Sequence, residues 1–231
     1  MAGPARNDND MNVLVLGASR GIGLEFVRQY RAQGDRVIAT ARDDAGLQRL
    51  QALGAQPLKV DVADPASISG LAWQLDGEKI DVALYVAGVY GTAGATQPPT
   101  REEFDRLMHT NVLGAMQAIP QVAPLVEAAQ GRFAFVTSEM GHIAGAGSSF
   151  GWTYRVSKAA LNMAVAAARH DYPQAIFAAI SPGWVRTDMG GPGAPLSVED
   201  SVAGMRRTIA GLTPRQSGAF LHHDGRRFQG W

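Results

Sequence analysis

The sequence predicts a single-domain, doubly wound α/β fold in which helices flank a parallel sheet of about seven strands. Short β-branched segments alternate with longer helical patterns along the 231 residues, as in βαβ units. Apolar residues make up 46% of the chain and 27 residues are glycines, a composition typical of a globular protein with many tight turns. No repeat, charged block or Gly/Ser linker divides the sequence. We therefore expect one domain over residues 11–231 after a flexible arm over residues 1–10.

Seven strands and six helical segments follow from the apolar periodicity. The predicted strands cover residues 12–16, 36–40, 56–60, 80–86, 132–137, 175–180 and 219–221. The predicted helices cover residues 21–33, 43–53, a segment after residue 65, and residues 101–129, 152–170 and 198–210. Pro120 and Pro124 should kink or interrupt the helix over 101–129, because proline has no N–H and its ring clashes inside a helix.

Charge and composition exclude several classes of function. The formal net charge is zero and no window concentrates Lys or Arg, so binding to nucleic acid or to an anionic membrane is not expected. With no cysteine, the chain has no disulfides, no thiolate chemistry and no Cys-ligated metal. His222 and His223 point to opposite faces of a strand and have no evident supporting ligands, so no metal site is predicted. The polar start and short apolar runs predict a cytoplasmic protein with small-molecule partners.

A glycine-rich turn follows the first strand. Residues 17–23 read GASRGIG, and a helical pattern begins at once. Gly17 permits a sharp turn, Gly21 lets the backbone approach a phosphate, and Gly23 allows close packing of the helix on the sheet. The N–H groups at the helix start would face the anion. Such glycines can also be purely structural, but their spacing differs from a P-loop and so argues against a nucleoside triphosphatase.

The end of the second strand bears on which dinucleotide would bind. An NAD-binding fold carries an acid there for the ribose 2′-hydroxyl, whereas this chain has Ala41 followed by Arg42. Arg20 lies inside the glycine turn, so two guanidinium groups could converge on a 2′-phosphate. Each arginine alone could equally be a solvated surface charge. Together they favour NADP(H) over NAD(H).

A candidate acid/base pair lies on the helix over 152–170. Tyr154 and Lys158 are four residues apart and share one helix face. A free phenol titrates near pH 10, and a neighbouring ammonium would stabilise its phenolate. Such pairs occur often by chance, but Ser138 follows the fifth strand at the carboxyl edge of the sheet, where doubly wound folds bind ligands. Ser138 could hold a substrate oxygen while Tyr154 transfers a proton.

In combination, these motifs resemble the short-chain dehydrogenase/reductase family over roughly residues 12–231. The resemblance rests on GASRGIG, on NVLG beginning at Asn111, on Ser138, on YRVSK beginning at Tyr154, and on SPGWVRT beginning at Ser181. The segments YRVSKAALN, PGWVRTDMGG and SGAFLHHDG are most similar to the small carbonyl-reductase and C-factor-like branch. The resemblance implies a Rossmann-type fold. It also implies an NADP(H)-dependent carbonyl reductase that moves a hydride between nicotinamide C4 and a carbonyl or secondary alcohol carbon.

The resemblance also implies roles for individual residues. Tyr154 would be the general acid/base, Lys158 would lower its pKa and hold the nicotinamide ribose, Ser138 would orient the carbonyl, and Asn111 would support a water relay to Lys158. Asn111 could instead be a helix-interior polar residue that is satisfied locally. The implied cofactor-binding residues are Gly17, Ser19, Arg20, Gly21, Ile22, Gly23, Arg42, Asp61, Val62, Ala87, Gly88, Tyr154, Lys158, Pro182, Gly183, Val185 and Thr187.

The chain departs from the family pattern after the fourth strand, where Val86 stands in place of the usual Asn of Asn-Ala-Gly. Loops over 89–100, 139–153 and 189–197 are mostly small or apolar, which favours an apolar or amphipathic carbonyl compound without naming it. Glu139 and His142 are expected to stabilise their loop rather than contact substrate.

One alternative function and the oligomeric state stay open, and a second alternative function is disfavoured. A sensor or scaffold that binds NADP(H) without turnover is the alternative to an enzyme. A sugar-nucleotide epimerase would need a C-terminal substrate domain, which is not expected here. A homodimer, a homotetramer and a monomer all stay open.

Overall fold

The computed structural model describes residues 10–231, so the arm predicted for residues 1–10 falls, apart from Asp10, outside the described residues. Seven parallel strands form one sheet in the order β3-β2-β1-β4-β5-β6-β7. The strands are β1 (Asn12–Leu16), β2 (Arg36–Ala41), β3 (Gln56–Lys59), β4 (Val82–Tyr85), β5 (Arg132–Val136), β6 (Ile176–Ser181) and β7 (Ala219–His222). This confirms the predicted single-domain, doubly wound fold.

Helices cover both faces of the sheet. They are α1 (Gly21–Ala32), α2 (Asp44–Ala52), α3 (Pro65–Ser69), α4 (Leu71–Gln74), α5 (Arg101–Met108), α6 (Gly114–Ala128), α7 (Trp152–Ala168) and α8 (Val198–Ala210). A π-helical segment (His109–Leu113) joins α5 to α6, and short 3-10 turns lie at Glu139–Gly141 and Pro214–Gln216. Within residues 10–231 no helix is long and apolar enough to cross a membrane.

Two apolar cores enclose the sheet, because every strand except the edge strand β3 is buried along most of its length. In β1, Leu14 and Leu16 pack into the core beneath α6 and α7, whereas Val13 and Val15 pack beneath α1 and α8. Strands covered on both faces read as continuous apolar runs rather than as alternating patterns. The sequence of β1 shows such a run, which is why it could be assigned from the sequence.

Pro120 and Pro124, predicted to kink or interrupt the helix over 101–129, do not interrupt it. Helix α6 continues through Pro120 and Pro124, and the change in helix geometry falls earlier, in the π-helical segment. Both prolines lie on the exposed side of α6. The carbonyl groups that lose their N–H partners there can bind water, which makes proline tolerable within a helix.

The sheet order places one crevice at the carboxyl edge. Strand β1 pairs with β2 on one side and with β4 on the other, so the chain crosses the sheet in opposite directions on the two sides of β1. The connections after β1 and β4 therefore diverge. Doubly wound folds bind their ligands at this switch point.

Candidate active site

A cavity of about 380 Å³ opens at the switch point. Its wall contains every predicted cofactor-binding residue except Gly183 and Val185, namely Gly17, Ser19, Arg20, Gly21, Ile22, Gly23, Arg42, Asp61, Val62, Ala87, Gly88, Tyr154, Lys158, Pro182 and Thr187. Val185 is buried and pairs with Leu196, and a Cβ on Gly183 would meet Leu196 and His223. Contact of all these residues with a cofactor stays a prediction.

The glycine turn is closed on the protein side and open toward the cavity. Gly17 has a φ of +87°, and a Cβ there would lie 2.6 Å from the backbone of Ala87. A Cβ on Gly23 would collide with the carbonyl oxygen of Gly17, so only glycine lets α1 approach the turn this closely. A Cβ on Gly21 would meet only Thr187, at 3.7 Å. Because no side chain caps the start of α1, its first N–H groups are available to an anion in the cavity.

Three arginines lie on the cavity wall near the end of β2. Arg20 and Arg42 were predicted, and Arg49 on α2 joins them. The Nε atom of Arg49 donates a hydrogen bond to the carbonyl oxygen of Ser19 at 3.0 Å, and Nη1 of Arg20 lies 3.2 Å from Oδ2 of Asp188. The nearby carboxylate of Asp43 instead caps α2, where it accepts a hydrogen bond from the Gly46 N–H. Three guanidinium groups therefore lie at this end of the cavity, together with the carboxylates of Asp43 and Asp188. Guanidinium groups are the side chains that bind a phosphate with paired hydrogen bonds.

Arg49 was not predicted, although a glycine pattern in the sequence of α2 precedes it. A Cβ on Gly46 would lie 2.7 Å from the Ala41 side chain and 3.0 Å from that of Ser19, so α2 packs tightly against the glycine turn at this position. Arg49 lies three residues later and shares that face of α2. A glycine on the first turn of the second helix, followed three residues later by arginine, is the pattern that could have identified it.

Three of the four predicted catalytic side chains, those of Ser138, Tyr154 and Lys158, meet beside the cavity. Tyr154 and Lys158 are 6% and 3% exposed, and Nζ of Lys158 lies 5.7 Å from the centre of the Tyr154 ring. Nζ also donates a hydrogen bond to the carbonyl oxygen of Val136 at 3.0 Å, which anchors the amine to the end of β5. The hydroxyl of Ser138 lies close enough to the Tyr154 phenol to act on its pKa. A phenol, a hydroxyl and an amine thus face the same space, as the shared helix face predicts.

Burial dominates the pKa values of this cluster. Burial raises the pKa of the Tyr154 phenol, and the hydrogen bond from Ser138 opposes that rise. Burial lowers the pKa of Lys158 to about 8. Burial disfavours the charged forms of both side chains, and the lowering of the Tyr154 pKa by Lys158 stays a prediction. Tyr154 therefore carries its proton at neutral pH.

Asn111 fixes the loop after β4. It is fully buried in the π-helical segment, where its Oδ1 accepts a hydrogen bond from the Val89 N–H at 2.8 Å. Its Nδ2 donates to the Val89 carbonyl oxygen at 3.0 Å and to Oγ of Ser157 at 2.9 Å. The side chain is satisfied by residues distant in sequence, and it braces the backbone that continues from Ala87 and Gly88 on the cavity wall. Its part in a water relay to Lys158 stays a prediction.

The loop between Ser138 and Tyr154 is anchored mainly by its ends. Residues 143–150 are all exposed. Nε2 of His142 lies 2.9 Å from the carbonyl oxygen of Gln229, and its ring lies 5.1 Å from that of Phe228. His142 therefore stabilises the loop, in agreement with the expectation. The Glu139 N–H donates a hydrogen bond to Oγ of Ser181, so the backbone of this residue is also held.

The histidines of β7 have packing roles. His222 stacks on Phe228 with ring centres 3.6 Å apart, and the carbonyl oxygen of His223 accepts a hydrogen bond from Oγ1 of Thr208. In the described part of the chain, no three His, Asp or Glu residues gather in a way that could hold a metal ion.

Comparisons with known proteins agree with this geometry. Residues 11–194 match the family model for short chain dehydrogenases. C-signal of Myxococcus xanthus is 41% identical over 149 residues, which cover 63% of this chain and 90% of that protein. The 1-hydroxy-2-glutathionyl-2-methyl-3-butene dehydrogenase of Rhodococcus sp. (strain AD45) is 32% identical over 223 residues, which cover 92% of this chain and 96% of that protein.

A solved structure extends the similarity to the whole fold. The crystal structure of NADPH bound carbonyl reductase from chicken fatty liver matches with a TM-score of 0.86 and 28% identity, and the match covers 96% of this chain and 99% of that chain. The family match spans most of the described residues, and the cluster of Ser138, Tyr154 and Lys158 lies where the family motifs predicted it. The chain therefore belongs to the short-chain dehydrogenase/reductase family of oxidoreductases, in its carbonyl-reductase-like branch.

Proposed function

We propose that this protein is an NADP(H)-dependent carbonyl reductase, which moves a hydride between nicotinamide C4 and a carbonyl or secondary alcohol carbon. One observation carries the proposal: Tyr154 and Lys158 lie on the wall of the same cavity that carries three arginines near the end of β2. A proton donor and a phosphate-binding region are thus joined by one crevice. NADPH would supply the hydride when bound, and the protein would supply position and protons.

The wall of the cavity fits such a cofactor in charge and shape. The open backbone of Gly21 and the uncapped start of α1 would hold the pyrophosphate. Arg20, Arg42 and Arg49 would bind the ribose 2′-phosphate, while the Asp43 carboxylate keeps its hydrogen bond from the Gly46 N–H. Asp61 and Val62 would flank the adenine, and Thr187 would bind the carboxamide. The preference for NADP(H) over NAD(H) rests on the arginines and on Ala41.

We assign a role in the reaction to each catalytic side chain. In reduction, Tyr154 would donate its phenolic proton to the substrate oxygen while the carbonyl carbon receives the hydride. The hydroxyl of Ser138, which lies beside the Tyr154 phenol, would hold that oxygen in place. Lys158 would hold the nicotinamide ribose and stabilise the phenolate that the proton transfer leaves. Asn111 would act as a positioning residue through Val89 and Ser157.

The exposed loop beside the site favours an apolar or amphipathic carbonyl substrate. Ile143 and Phe150 are 67% and 53% exposed, and no charged residue lies between them. A ketone or aldehyde with an apolar substituent would cover this surface on binding.

A panel of carbonyl compounds followed by NADPH absorbance, with NADH run in parallel, tests the proposal. We expect reduction with NADPH and much weaker reduction with NADH. Tyr154→Phe should abolish reduction and leave NADPH binding nearly unchanged. Equal use of the two cofactors would refute the role of the arginines. A biological activity that survives Tyr154→Phe unchanged would favour an NADP(H)-binding sensor or scaffold.

A further inference from the structure

A second tyrosine contacts the catalytic one. The rings of Tyr90 and Tyr154 meet edge to face, with centres 4.7 Å apart and planes inclined at 78°. Edge-to-face pairs at this separation are attractive, and they restrict the orientation of both rings. Tyr90 lies on the loop after β4 and is half-buried, so it has no place in the two apolar cores. Packing of the protein interior therefore does not explain its position.

Five hydrogen bonds with four residues hold the backbone of the loop that carries Tyr90. Asn111 binds both the N–H and the carbonyl oxygen of Val89, and Nη2 of Arg106 donates a hydrogen bond to the carbonyl oxygen of Tyr90 itself at 3.0 Å. Further along, the N–H groups of Gly151 and Trp152 donate to the carbonyl oxygens of Thr92 and Ala93 at 3.3 and 3.1 Å. The loop is therefore tied on one side to α5 and the π-helical segment, and on the other side to the start of α7.

These ties fix the distance between the two tyrosines. Tyr154 lies on the first turn of α7, directly after the residues that bind Thr92 and Ala93. The Tyr154 ring therefore contacts Tyr90 and also lies near Lys158, whose amine is 5.7 Å from its centre. Its hydroxyl end lies beside Ser138. Of the described residues around the Tyr154 ring, Tyr90 is the one that contacts it through an aromatic ring.

We propose that Tyr90 is a positioning residue for catalysis, and that its ring holds the phenol of Tyr154 in the orientation from which the proton is transferred. This inference deepens the proposed function and rests on the role given there to Tyr154. The positioning effect belongs to the ring, because the contact is between a ring face and a ring edge. The Tyr90 hydroxyl group acts separately, since it adds to the rise of the Tyr154 pKa. Removal of the ring lets the Tyr154 side chain move, and misplacement of a catalytic group lowers the rate of the chemical step.

Two substitutions separate the ring from its hydroxyl. Tyr90→Phe keeps the edge-to-face contact and should keep kcat for carbonyl reduction within about twofold of wild type. Tyr90→Leu removes the ring but keeps an apolar side chain, and should lower kcat by about threefold to tenfold, the range that corresponds to one aromatic pair. Because Tyr90 is absent from the cavity wall, the KM for NADPH should not change in either variant.

Tyr172→Leu is the matched control. Its ring is also half-buried and stacks on Phe177, with centres 5.9 Å apart. It precedes β6 and so lies at the opposite edge of the sheet. This control loses a tyrosine ring of similar exposure without touching Tyr154, and should keep the wild-type kcat.

A second readout does not depend on turnover. The chain has five tyrosines, so the ring signals of Tyr154 in a ¹³C-tyrosine sample can be assigned by comparison with Tyr154→Phe. Relaxation of these signals should show a rigid Tyr154 ring in wild type, Tyr90→Phe and Tyr172→Leu, and a more mobile ring in Tyr90→Leu.

The outcomes distinguish this inference from the proposed function. If wild type reduces no carbonyl compound, the proposed function fails, and the NMR comparison still decides whether Tyr90 holds Tyr154. If wild type is active, Tyr90→Leu with unchanged kcat and an equally rigid Tyr154 overturns the inference alone. Loss of activity in Tyr90→Phe equal to that in Tyr90→Leu would also overturn it, since the effect would then belong to the hydroxyl group.

Discussion

The amine of Lys158 lies 5.7 Å from the centre of the Tyr154 ring, and within residues 10–231 no carboxylate pairs with it. Its hydrogen-bond acceptor is the carbonyl oxygen of Val136. A buried ammonium without a counter-ion opposes folding. The protein therefore keeps this charge at a measurable cost in stability.

Lys158→Met should stabilise the protein at neutral pH. Burial lowers the pKa of Lys158 from 10.5 to about 8, so between these values the unfolded chain binds more protons and the free energy of unfolding rises with pH. Below about pH 8 the full penalty applies, about 3 kcal/mol at most. Urea unfolding at pH 7 and pH 10 should show this slope in wild type and not in Lys158→Met. Lys79→Met, at an exposed lysine, should keep the wild-type slope; an equal slope in Lys158→Met would refute the assignment.

The pH dependence of the two reaction directions should differ. Burial raises the pKa of Tyr154, so the phenol is protonated near neutrality and ready to donate in carbonyl reduction. Alcohol oxidation needs the deprotonated phenol, and its kcat/KM should rise by up to about tenfold per pH unit through the alkaline range. Initial rates from pH 6 to pH 9 in both directions measure this difference. An oxidation rate independent of pH would contradict the assignment of Tyr154.

Removal of the cavity arginines should weaken NADPH use selectively. Arg42→Ala should raise the KM for NADPH by about tenfold to a hundredfold, because a hydrogen bond to a charged group contributes about 1.5–3 kcal/mol. Arg49→Ala should act in the same direction, and it also loses the contact with Ser19. The KM for NADH should change little in Arg42→Ala. Arg101→Ala, whose side chain is 94% exposed, is the control, and an equal rise for both cofactors would exclude a 2′-phosphate contact.

Gly23→Ala should disrupt the glycine turn. The new Cβ would collide with the carbonyl oxygen of Gly17, and either α1 or the turn must move. We expect a lower Tm and loss of NADPH binding, measured by thermal unfolding with and without NADPH. At Gly70, φ is −84° and a Cβ would meet only a Gln74 side-chain atom at 3.7 Å. Gly70→Ala should therefore keep both properties; a normal Tm in Gly23→Ala would contradict the close approach.

The fold could be predicted because its signals are local. Strand β1 is a continuous apolar run, and helix α8 ends where the sequence pattern ends. The interruption of the helical run over 101–129 could not be placed from the sequence, because its π geometry depends on tertiary contacts. Asn111 in that segment binds Val89 and Ser157, which lie far away in sequence.

The part of the candidate site that lies in recognisable sequence motifs could be predicted. Ser138, Tyr154 and Lys158 come together because two of them share a helix face and the third follows a neighbouring strand. Tyr90 and Arg49 were missed, since each acts through a contact between separate elements. Tyr90 reaches Tyr154 only because the loop after β4 is tied to α7, and no spacing in the sequence reports that tie.

Tyr85 links the centre of the sheet to this catalytic arrangement. It is fully buried at the end of β4, and its hydroxyl donates a hydrogen bond to the carbonyl oxygen of Thr110 at 2.7 Å. Thr110 is the residue before Asn111. A change as small as the loss of that oxygen atom, at a position no solvent or ligand reaches, would free the segment from which Asn111 braces the loop. Redesign of the interior for thermal resistance must therefore treat Tyr85 as part of the catalytic apparatus.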